Sequence, residues 1–179
     1  MHILAISGSL RALSSNKAAL QALSRLAPPG VRISIFAGLA ELPHFNPDLD
    51  NERLPEPASR FRSLVGAADA LVISSPEYAH GVPGSLKNAL DWLVGSLDFA
   101  GKPVALINTS PHAEHAQASL RETLGTMAAR LVDNASITLA LPSRSIDAEG
   151  IAADPDCAAA LRGALAALVG VIVSAPHEA

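Results

Sequence analysis

Apolar positions along the chain recur with two different periods. Met1–Ser7, Val31–Phe36, Ala68–Ser74, Pro103–Ser110 and Ala135–Leu141 are short apolar runs of strand length. Between them the spacing turns helical: Leu20, Leu23 and Ala27; residues 58–68; Leu86, Leu90, Leu93 and Leu97; Leu120, Leu124, Met127 and Leu131; and Leu161, Leu165, Leu168 and Ile172. Five strands alternating with helices predict a parallel sheet with right-handed crossovers. An acidic, proline-rich stretch over 41–57 predicts a long loop after the second strand. No internal repeat, linker or low-complexity block interrupts the pattern, and 179 residues suit one core, so a single domain over 1–179 is expected.

Two of the predicted strand-to-helix turns carry unusual chemistry. The first holds Ser7, Gly8, Ser9, Arg11, Ser14, Ser15 and Asn16 just before a helix. Free backbone N–H groups and the positive end of the helix dipole make such a terminus an anion site. Arg11 adds a charge-assisted donor suited to phosphate. Capping by Ser14 or Ser15 accounts for one of these residues but not for Ser9 or Arg11. The second turn, Ser75 to Trp92 (SPEYAHGVPGSLKNALDW), sets two prolines, two glycines, Tyr78 and His80 ahead of a helix. In doubly wound sheets, ligands bind at the carboxyl edge where the strand order reverses. A rigid loop there with a flat aromatic suits a flat polar ligand.

These loops resemble the NADPH-dependent FMN reductase family, the flavodoxin-like group of quinone, azo and chromate reductases. Gly8, Ser9, Leu10, Arg11, Ser14 and Asn16 match its GSLRxxSxN pattern. Pro76, Glu77 and Tyr78, with Pro83, Gly84 and the run Leu86 to Trp92, match its second pattern. Ala79 departs from it, standing where the family usually has asparagine. The resemblance implies a three-layer α/β fold with a five-stranded parallel sheet in the order 2-1-3-4-5. It assigns Ser9, Arg11, Ser14 and Asn16 to the FMN phosphate, and Ser15 of the same loop is expected among the cofactor-binding residues. Pro76, Glu77, Tyr78, Ala79, His80 and Gly81, with Ser110 from the third loop, are expected around the flavin ring. It further implies NADPH as electron donor, ping-pong transfer to a small acceptor (free flavin, quinone, azo compound or metal oxyanion) and a homodimer or homotetramer. No catalytic side chain is expected, because the chemistry belongs to the flavin. Trp92 suits either the core or a subunit contact.

Composition narrows the alternatives. A net charge of −4 argues against a nucleic-acid surface. The start lacks the signature of a secretory signal, and no membrane span or metal site is expected; His112 and His115 lack a convincing third ligand. His112 instead belongs to a loop at the ligand edge. The single cysteine, Cys157, suits a small buried residue and a cytoplasmic protein. A dinucleotide fingerprint, a P-loop and a nucleophile elbow are all missing from the sequence. Two further readings fit the same loops: a flavodoxin-type electron carrier, and a non-enzymatic module for a phosphorylated ligand.

Overall fold

A computed structural model describes residues 1–143 and 145–174. The elements are β1 (His2–Ser7), α1 (Ser15–Arg25), β2 (Arg32–Ile35), α2 (Glu56–Gly66), β3 (Ala70–Ser74), α3 (Gly84–Asp91), β4 (Pro103–Asn108), α4 (Glu114–Thr126), β5 (Arg130–Leu131), β6 (Ile137–Thr138), α5 (Ala148–Ala153) and α6 (Pro155–Val173). The strands lie parallel in the order β2-β1-β3-β4-β5, with β6 also on β4. This is the flavodoxin-like order.

Both sheet faces are covered, which is why the strands read as continuous apolar runs. Successive side chains alternate between faces. Leu4, Ile6, Leu71, Ile73, Val104 and Leu106 pack with residues of α2, α3 and α4. Ile3, Ala5, Val72, Ala105 and Ile107 pack with residues of α1, α5 and α6 on the other face.

The fifth sheet position is split rather than one strand, so the sheet counts six strands instead of the expected five. β5 pairs with Pro103 and Val104, and β6 with Ile107 and Asn108. A 3-10 turn, Asp133–Ala135, separates them. The break would strand the amide of Leu106, but that N–H donates to Ser136 Oγ at 3.1 Å, and Ser136 Oγ donates to the Val132 carbonyl at 3.0 Å.

Four predicted helices end early; α2 stops at Gly66, short of Ala68. Ala27 lies past the end of α1, whose C-cap is Leu26. α4 stops before Leu131, which joins β5. Ala128 takes φ +60°, and the amides of Ala128 and Ala129 close back on Gly125 and Leu124 at 2.9 Å, a Schellman stop. α3 stops at Asp91, short of Leu93 and Leu97, and Arg62 Nε takes the carbonyl of Trp92 at 2.6 Å. Leu97 is 95% exposed, whereas Trp92 is fully buried, so Trp92 belongs to the core of this chain rather than to a subunit contact. Its indole Nε1 donates to the Pro43 carbonyl at 2.8 Å, and its ring meets Phe45 edge-on at 5.1 Å.

α6 is the one described helix long and apolar enough to cross a membrane by length and composition. Its Leu161, Leu165 and Leu168 are buried against the sheet. The expectation that no stretch has that character is corrected for α6, whose apolar side chains here serve as a core face.

Candidate active site

The carboxyl ends of β1, β3 and β4 carry a buried polar floor: Ser7, Ser9, Asn16, Ser74, Ser75 and Asn108 are all at most 9% exposed. The floor is wired together. The Gly8 amide donates to the Ser74 carbonyl at 2.8 Å. Ser74 Oγ and Thr109 Oγ1 both donate to Asn16 Oδ1, at 2.9 and 3.2 Å, and Ser15 Oγ lies 3.1 Å from Thr109 Oγ1. Asn16 thereby ties the loops after β1, β3 and β4 into one unit. Gly8 is required by space. A Cβ there would sit 2.9 Å from Leu86 Cδ2 and 3.0 Å from Ser75 Oγ.

Above this floor opens a cleft of about 830 Å³. One wall is the amino end of α1. Ser14 is the N-cap, its hydroxyl accepting from the Lys17 amide at 3.4 Å. Ser9 Oγ accepts from the Arg11 amide at 3.3 Å, which shapes the turn, and Arg11 itself is exposed on the wall. The N–H groups of Ser15 and Asn16 are among the first four of the helix, which have no intrahelical partner. The facing wall is Pro76, Glu77 and Tyr78 from the β3–α3 loop, with Thr109, Ser110 and His112 from the β4–α4 loop. Tyr78 is 49% exposed, leaving its ring available.

Nine of the twelve sequence-predicted residues meet on this cleft: Ser9, Arg11, Ser14, Ser15, Asn16, Pro76, Glu77, Tyr78 and Ser110. Ala79, His80 and Gly81 do not line it. The amides of Tyr78 and Gly81 bond to each other's carbonyls at 3.1 and 3.0 Å, closing a two-residue turn. Ala79 and His80 at its tip have φ +49° and +60°. That left-handed pair is the type I′ geometry, where asparagine and glycine are favoured. Glu77 Oε2 accepts from the Ala116 amide, in the first turn of α4, at 2.8 Å.

The sequence reading missed one stretch of wall. Ser143, Ser145, Ile146, Asp147 and Ala148 close the cleft beside α1, where Lys17 and Gln21 also line it. Asp147 N-caps α5 through the Gly150 amide at 2.8 Å. Aspartate followed by a short helical run was the available signal.

A hydroxyl-rich helix terminus with a guanidinium on one side, and an exposed aromatic with polar loop groups on the other, fits a phosphorylated flat ligand such as FMN. The comparison with known proteins agrees. The NADPH-dependent FMN reductase family matches over residues 1–143. The chain belongs to that family. An NAD(P)H-dependent FMN reductase of Pseudomonas aeruginosa is 37% identical over 153 residues, covering 83% of this chain and 82% of the relative. A 2-hydroxy-1,4-benzoquinone reductase of a Burkholderia species is 36% identical over 156 residues, 84% of each chain. Among solved structures, the flavoenzyme NAD(P)H:(acceptor) oxidoreductase FerB of Paracoccus denitrificans superposes with a TM-score of 0.76 at 31% identity, covering 96% and 97% of the two chains. The oxidised flavodoxin 1 of Bacillus cereus shares the fold alone, with a TM-score of 0.58 at 16% identity. The reductase family takes FMN as cofactor and NAD(P)H as electron donor.

Cys157 does not line the cleft. Burial, aided by the neighbouring Asp154, pushes the Cys157 thiol up to about 11, so it is no nucleophile. Among the described residues, no three His, Cys, Asp or Glu side chains stand together as a metal site would need.

Proposed function

We propose that this reductase holds FMN in the cleft between the β1–α1 and β3–α3 loops and passes electrons from NADPH to a small acceptor, a quinone or a free flavin in particular. The observation that carries this reading is the meeting of Ser9, Arg11, Ser14, Ser15 and Asn16 with Pro76, Tyr78 and Ser110 on one cleft at the reversal of strand order. FMN, when bound, supplies hydride acceptance and electron donation. The protein's own residues do the rest. Arg11 and the free amides of α1 neutralise a phosphate. Asn16 and Thr109 hold the loops in register. Tyr78 covers the cleft with a flat apolar face. Donor and acceptor take turns at the same open cleft, which gives ping-pong kinetics. The quinone reading draws on the relatives' acceptors.

The chain acts as one domain over 1–179. Val94 and Leu97, exposed just after α3, support a homodimer or homotetramer through that face. A lone buried thiol suits the cytoplasm.

The test is an anaerobic absorbance spectrum of the purified protein with FMN, before and after NADPH. A bound-flavin spectrum that bleaches is expected. Bound flavin that NADPH leaves oxidised would identify an electron carrier instead, and failure to bind FMN would end the flavin reading.

A further inference from the structure

The β3–β4 ladder ends at Ile73 and Leu106, before either of the loops that face α1 across the cleft begins. Asn16 joins the roots of the two loops through Ser74 and Thr109, and a second link lies farther along them. α4 begins with Ala113 at its N-cap, and an alanine has no side chain to bond the first amides of the helix. Glu77 supplies the missing cap from the other loop, its Oε2 2.8 Å from the Ala116 amide. A carboxylate at that end also complements the helix dipole. The Glu77 side chain is only 15% exposed, and its second oxygen lies 3.8 Å from His80 Nδ1. The His80 ring in turn meets His115, in the first turn of α4, edge-on at 4.3 Å. One turn therefore grips one helix end at two points.

We propose that Glu77 is a positioning residue: it caps α4 across the loop boundary and thereby fixes Tyr78 and the Ser110–His112 segment as one rigid wall of the cleft. Capping, rather than ligand contact, explains why its carboxylate turns toward α4. It also gives the left-handed Ala79–His80 turn a purpose, since that turn brings His80 back over the same helix end.

Hydrogen exchange on the flavin-free protein tests the brace. Glu77→Ala should speed exchange at Ala116 and across 109–116 by about tenfold, the loss of one good helix cap, while α6 amides stay unchanged. Glu77→Gln keeps a carbonyl oxygen at the same reach and should restore most of the protection. Should Glu77→Ala fail to fold, Glu77→Asp, one methylene short, replaces it in the same comparison. In a parallel fluorescence titration, FMN affinity should fall several-fold in Glu77→Ala and return in Glu77→Gln. Unchanged exchange over 109–116, a uniform rise throughout the chain, or unchanged FMN affinity despite faster local exchange would each overturn the proposal. Because exchange is read without flavin, a wild-type protein that fails to bind FMN would overturn the flavin reading of the cleft separately.

Discussion

At the scale of single residues, two positions carry costs that the fold imposes. Ala79 sits at φ +49°, in a region that disfavours any residue with a Cβ. The family resemblance had marked Ala79 as the departure from an expected asparagine; the structure gives the physical reason, because asparagine tolerates that geometry. Ala79→Gly should raise stability by about 1 kcal/mol, read as a higher urea midpoint at unchanged slope. Its exposed place outside the cleft means the gain should come without loss of FMN binding. Cys157 carries a cost of the opposite kind. Its thiol is held at about 11 against an ordinary 9.0, first by burial and then by Asp154. The folded state therefore keeps a proton that the unfolded chain loses first. That contribution is whole below pH 9 and drains away as the pH rises toward 11. Denaturant midpoints should fall over that window, and a Cys157→Ala variant should lack this component of the fall.

At the scale of elements, most boundaries followed from periodicity, and the misreadings share a cause. Leu93, Leu97 and Leu131 keep helical spacing with their neighbours, yet α3 and α4 end before them. Their stops are tertiary: Arg62 on the Trp92 carbonyl, and the Ala128 left-handed turn in place of the glycine that would have announced it. The split edge strand was equally hidden, because Ala135–Leu141 has the apolar content of one strand. What makes the split tolerable is Ser136, which satisfies the buried Leu106 amide. Ser136→Ala should therefore cost about 1–3 kcal/mol, as for any buried donor left without a partner. The measurement is chemical denaturation. A loss below a few tenths of a kcal/mol would mean that water reaches the Leu106 amide.

At the scale of the whole molecule, strand order decides where chemistry can happen. The alternation of elements pointed to a parallel sheet and the family resemblance to its strand order; together they placed the crevice between β1 and β3, and the two special loops lie there because they follow those strands. The wall formed by Ser143, Ser145 and Asp147 escaped notice because a six-residue helix is too short to show a period. The inward turn of Glu77 escaped because capping between loops 39 residues apart leaves no local pattern. A cleft built from four separate stretches of chain predicts that ligand and fold are strongly linked. FMN at about 100 times its Kd should add about 2.7 kcal/mol, because only the folded chain brings those loops together. For a chain of this size that corresponds to a rise in Tm of about 5–11 °C. Arg11→Ala should weaken FMN binding by about 1.5–3 kcal/mol, cutting the rise at the same FMN concentration to less than half. Riboflavin lacks the phosphate, so it should shift wild type and Arg11→Ala alike. A variant that loses the riboflavin shift as well would assign Arg11 to the shape of the loop rather than to the anion.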